Sequence, residues 1–143
     1  MTDAPLPAPS ESSMLRVAWS CCEAIKVLSK VPDSNTLVAY AIVASHGMEA
    51  TLKCHLLQRG KSLDHCIRLG HDLMKTWAAA SSEGPPINGT APKWLKVLNW
   101  GHAKPYAFRY LPDTYGVGAP RADELLSWWE PVLASLYRTS SRL

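Results

Sequence analysis

Phenylalanine is nearly missing from this chain: it has one, against six tryptophans and five tyrosines. Most of the aromatic surface therefore carries a polar tip, which suits rims, interfaces and pocket walls. No apolar run approaches the roughly 18 residues that span a bilayer, so a membrane-crossing helix is excluded. No block of consecutive basic residues occurs and the net charge is only +3. Contact with a polyanion is permitted by that charge but not demanded by it. No Cys-x-x-Cys occurs either. Cys21 and Cys22 are adjacent, a poor geometry for a mutual bridge, and Cys54 and Cys66 stand apart. The N-terminal stretch is polar and proline-rich, without the features of a secretory signal. Free thiols in a reducing cytoplasm are the expectation. A nucleophile elbow, a Gly-rich phosphate loop and a dinucleotide fingerprint are also missing. Gly116-Val117-Gly118 is too short for such a loop and follows no strand.

What remains is the pattern of a single helical domain. The 143 residues suit one domain, and the hydrophobic and charged fractions are those of a globular protein. Residues 1–10 read as a disordered leader and residues 11–143 as the domain. The spacing predicts a first helix over 11–30, with Met14, Val17, Ala18, Cys21, Ile25 and Leu28 on one stripe. Val31-Pro32-Asp33-Ser34-Asn35 stops it and caps the next. A second helix is expected over 36–59, with Val43, Gly47, Ala50, Cys54 and Leu57 on one face and Leu52 and Leu56 widening it. Residues 63–69 read as a short helical connector, and a third helix as running from His71 or Asp72 to Ala80. A loop over 81–92 follows, then a helix over 93–102 with Trp94, Leu95, Leu98 and Trp100 inward. Residues 104–120 form an irregular Tyr/Pro-rich segment, in which Phe108-Arg109-Tyr110-Leu111 has strand character. The last helix covers 121–139; Pro131 lies inside it and is expected to kink it. One ring of the Trp128-Trp129 pair belongs in the core. The fold class is all-α, a four- to five-helix up-and-down bundle with the irregular segment before the last helix.

Two runs carry a resemblance. Gly47-Met48-Glu49-Ala50-Thr51-Leu52-Lys53 leads through Gln58-Arg59-Gly60-Lys61, and Leu69-Gly70-His71-Asp72-Leu73-Met74-Lys75-Thr76-Trp77 follows. Together they resemble the HEPN superfamily of helical domains, in which a Glu-x-x-x-Lys helix ends in a Lys-Gly-like turn and a Gly-His-Asp-Leu turn opens the next helix. Phe108-Arg109-Tyr110 is similar to an aromatic-Arg-Tyr element of some members. The resemblance implies a HEPN-like bundle, a homodimer, and binding of nucleotide, RNA or a protein partner, in a defence or toxin–antitoxin setting. It also implies a contact between Glu49 and His71.

The residues have their own chemistry. Glu49 and Lys53 stand at i, i+4 in the favourable order for a surface pair. Asp72 suits the start of a helix, where a negative charge meets the dipole. Arg109 sits among Tyr106, Phe108, Tyr110 and Tyr115, a setting in which a guanidinium can hold a phosphate or stack on a base. The plainer role for Arg109 is packing on the tyrosines with a salt bridge to Glu49 or Asp72. Binding or structural candidates are therefore Glu49, Lys53, His71, Asp72, Arg109 and Tyr110, with no catalytic residue, cofactor or metal assigned.

Catalytic HEPN proteins are ribonucleases with Arg-x(4 to 6)-His near the start of a late helix. Here the late helix opens Arg121-Ala122-Asp123-Glu124 and contains no histidine, and no matching histidine follows Arg109. Arg59-x5-His65 fits the pattern, but at the wrong place. A non-catalytic module is the leading expectation. A metal-independent ribonuclease pairing His71 with Arg109 or Arg59 is the second, and a purely structural homodimeric domain the third. Cys54, His55, His65, Cys66 and His71 cluster in sequence, but without zinc-ligand spacing the cysteines read as small buried hydrophobes.

Overall fold

In the computed structural model, residues 8–31, 36–111 and 117–141 are described. Six helices follow in order: α1 (Glu11–Leu28), α2 (Leu37–Gln58), α3 (Leu63–Leu69), α4 (Leu73–Ser82), α5 (Lys93–His102) and α6 (Ala122–Ser140). The sixth arises because the connector over 63–69 is a helix of its own, capped by Ser62, whose hydroxyl accepts from the His65 amide. No strand occurs among the described residues, and Phe108-Arg109-Tyr110-Leu111 lies in turns rather than extended. The Arg109 and Tyr110 amides both donate to the Tyr106 carbonyl, which curls the segment and prevents strand pairing. Ser10 forms a capping box with Ser13 at the start of α1, satisfying amides that the first turn would otherwise leave bare. Residues 1–7, the stop at Pro32-Asp33-Ser34-Asn35, and Tyr115 and Gly116 lie outside the described residues.

Helix α2 is the axis of the fold. Ala41, Ala44, Met48, Leu52, Cys54 and Leu56 are all fully buried along it. A helix apolar on most sides belongs inside a bundle, whereas α1, α5 and α6 each bury one stripe. Small residues let its neighbours approach. At Gly47 an added Cβ would lie 2.5 Å from the Trp129 ring and 2.6 Å from Cys21 Cβ. Trp129 is the largest fully buried side chain, and its indole N–H donates to the Thr51 hydroxyl at 2.8 Å. Thr51 in turn donates to the Gly47 carbonyl at 2.7 Å. Trp128 meets Trp77 and Trp94, with ring centroids 5.4 and 5.6 Å away, tying α6 to α4 and α5.

Two stripe assignments are corrected. On α1 the buried set is Leu15, Ala18, Cys22 and Ile25, and Val17 is exposed. On α5 Trp100 is exposed, while Trp94, Leu95 and Leu98 are buried as expected. Both misplaced residues sit at the edge of an apolar arc, where one position of helical rotation, 100°, carries a side chain out of the core. Helix α6 runs through Pro131. No described helix is long and apolar enough to cross a membrane.

Candidate functional site

Three elements converge on one carboxylate. Glu49 stands midway along α2, His71 follows the Gly70 C-cap of α3, and His102 ends α5. Glu49 Oε1 accepts from His71 Nδ1 at 2.7 Å and from His102 Nε2 at 2.9 Å. Its other oxygen, Oε2, lies 3.3 Å from the Lys53 ammonium. Burial alone would push the Glu49 carboxyl up. The hydrogen bonds from His102 and His71 and the charge of Lys53 outweigh it and hold the pKa at about 2. Glu49 is thus a carboxylate at neutral pH and can only accept, so both ring nitrogens facing it carry protons. In each neutral ring the lone pair then sits on the far nitrogen, Nε2 of His71 and Nδ1 of His102.

The turn before α4 is built to deliver His71. Gly70 has φ +62°, a region open to glycine and costly for side chains. Its carbonyl receives the Lys53 ammonium at 2.8 Å. Asp72, the N-cap of α4, accepts the Met74 and Lys75 amides, both at 3.1 Å. Asn99 locks the turn onto α5: its side-chain oxygen accepts the Leu73 amide at 2.7 Å and its NH2 donates to Asp72 at 3.3 Å.

The histidines differ in access. His102 is buried, whereas His71 is 41% exposed. Their rings meet edge-on at 5.6 Å, and the Tyr106 ring meets His71 edge-on at 5.8 Å. Tyr106 itself has φ +62°, a backbone strain that non-glycine residues carry mostly where surroundings hold them in place. The Arg109 guanidinium lies over the Tyr106 ring, 5.3 Å from its centroid.

Of the candidates expected from sequence, Glu49, Lys53, His71 and Asp72 come together, and the Glu49–His71 contact is present. Arg109 joins through the Tyr106 ring, and among the described residues no salt bridge from it to Glu49 or Asp72 is present. Tyr110 is 74% exposed and outside this contact chain. The Cys/His cluster does not assemble. The Cys54 thiol donates to the Glu11 carbonyl and His55 Nε2 donates to the Gly84 carbonyl. Arg59 donates to the Pro85 carbonyl at 2.8 Å. His102 and Asn99 were missed from the sequence. Their only signal is polar side chains on the amphipathic α5, three residues apart and so on neighbouring parts of one face.

Comparison with family models, with curated proteins and with solved structures returned no match.

Proposed function

We propose that this chain is a non-catalytic HEPN-like helical module that binds the phosphate of a nucleotide or RNA on the surface formed by His71, Tyr106 and Arg109. The observation that carries this reading is the row itself. An exposed guanidinium lies on an aromatic face whose edge touches a half-exposed imidazole, and that imidazole is oriented by a partly buried carboxylate. Arginine over an aromatic ring is suited to a phosphate next to a stacked base. The all-helical bundle and the pairing of Glu49 with Lys53 and His71 support the family resemblance, and with it a homodimer working in a defence or toxin–antitoxin setting.

The test is anisotropy of a labelled single-stranded RNA and of a nucleoside triphosphate, in EDTA. Saturable, salt-sensitive binding that weakens at least tenfold in Arg109→Ala is the expected result. No saturation by either probe, or binding unchanged in Arg109→Ala, overturns it.

A second reading, a metal-independent ribonuclease, is favoured by one feature: Glu49 leaves His71 Nε2 as the lone-pair nitrogen of a half-exposed ring, as a general base requires. Cleavage of mixed RNA in EDTA that disappears in His71→Ala would establish it in place of the binding module.

A further inference from the structure

We propose that Glu49, His71 and His102 form a binding site for a borderline divalent transition-metal ion such as zinc or cobalt(II), independent of any nucleic-acid ligand. Their three ligand atoms lie within 4.8 Å of one another. The two nitrogen–oxygen separations, 2.7 and 2.9 Å, are close to the edges of a metal's coordination shell. With metal–ligand bonds of about 2.1 Å, those edges are about 3.0 Å in an octahedron and about 3.4 Å in a tetrahedron. The two ring nitrogens lie within 4.8 Å of each other, so drawing the imidazoles together at their side-chain ends would close the set around an ion.

The donor set selects the class of metal. Two imidazoles and one carboxylate, with no thiolate, suit borderline divalent ions rather than copper(I) or calcium. The ligands sit on α2, on the Gly70–Asp72 turn and at the end of α5, three points already fixed to one another by Lys53 and Asn99. Such outer partners hold ligands in place. Lys53 engages Glu49 Oε2 and leaves Oε1, the oxygen nearest both rings, to face the ion. The partial exposure of His71 gives an entry route and room for water or an anion in the remaining coordination positions.

Binding needs a lone pair at His71 Nδ1 and at His102 Nε2. The proton that each ring now presents to Glu49 moves to its other nitrogen, so both rings change tautomer and stay neutral. Lys53 sets the strength of the site. Its charge beside Oε2 opposes a second cation, so the ion binds more weakly than the donor set alone would allow.

The test uses the full chain after EDTA dialysis, titrated with cobalt(II) chloride and followed by visible absorption and calorimetry. One cobalt per chain, displaced by zinc, is expected. Binding should weaken at least tenfold in His71→Ala, a half-exposed position that leaves the core intact, and in His102→Ala where circular dichroism shows a folded chain. No saturation with cobalt, or binding that survives His71→Ala, overturns the proposal. Because no RNA or nucleotide is present, the outcome is separate from that of the phosphate-binding test.

Discussion

The Lys53 ammonium donates to the Gly70 carbonyl at 2.8 Å, so a buried charge in the middle of one helix holds the turn that opens another. Both halves of the sequence signature, the Glu-x-x-x-Lys helix and the Gly-His-Asp-Leu turn, are joined by this bond. The Glu49–Lys53 pair is consequently not the surface pair that its spacing alone suggests. Lys53 is 7% exposed, and among the described residues its charge is met by Glu49 and the Gly70 carbonyl.

Removing one member of a buried pair leaves the other charge uncompensated, which costs about 3 to 5 kcal/mol. Glu49→Ala is therefore expected to destabilise the protein by about 3 kcal/mol, a far larger effect than an exposed i, i+4 pair would give. Urea denaturation of the wild type and of this variant checks it; a loss under about 1 kcal/mol would show that Lys53 reaches water in the folded state.

Asp72 caps two amides of α4 and accepts from Asn99. Its replacement by alanine removes a helix cap, a loss of about 1 to 2 kcal/mol. Asp72→Asn should retain most of the stability, because the amide oxygen still caps. Chemical denaturation midpoints of the two variants distinguish capping from a requirement for charge.

His55 gives a pH dependence with a definite sign. Burial holds its pKa below the ordinary 6.5, and the Arg59 charge acts the same way. The Gly84 and Ala80 carbonyls and the Glu83 carboxylate oppose them without prevailing. The fold thus favours the neutral ring, while the unfolded chain takes up a proton near pH 6.5. This contribution is fully present above pH 6.5 and is lost as the pH falls through the depressed folded value. Urea midpoints measured from pH 7.5 to pH 5 should fall for the wild type and fall less steeply for His55→Gln.

Gly47 faces the Trp129 ring and Cys21 with no room for a side chain. Gly47→Ala should cost about 1 to 3 kcal/mol by overpacking, despite alanine's better helix propensity. A thermal melt reads the sign directly: a raised Tm would mean that the Trp129 ring can withdraw.

The helices were largely legible in sequence because apolar periodicity and caps are local. The span of α5, residues 93–102, agrees at both ends, and those of α1, α2 and α6 within two residues. Val17 and Trp100 were misassigned because side chains at the margin of a stripe are placed by tertiary packing, which periodicity does not specify. The site was half legible. Glu49, Lys53, His71 and Asp72 lie in two short motifs whose spacing carries their geometry. His102 reaches Glu49 across 53 positions, and nothing local marks a single histidine at a helix end as a partner of a distant carboxylate. Arg109 was legible as a neighbour of tyrosines but not in its orientation, because the turns around Tyr106 replace the expected strand.

The first and last helices meet at their outer ends. Glu11 accepts from Ser140 at 3.1 Å and from Gln58 at 3.2 Å, while Gln58 also donates to the Leu136 carbonyl at 2.9 Å. Farther along, Trp19 meets Tyr137 and Lys26 approaches Glu130, so α1 and α6 run antiparallel. A force applied through these two ends would load the contacts one after another, as a zipper opens, rather than shearing them all at once.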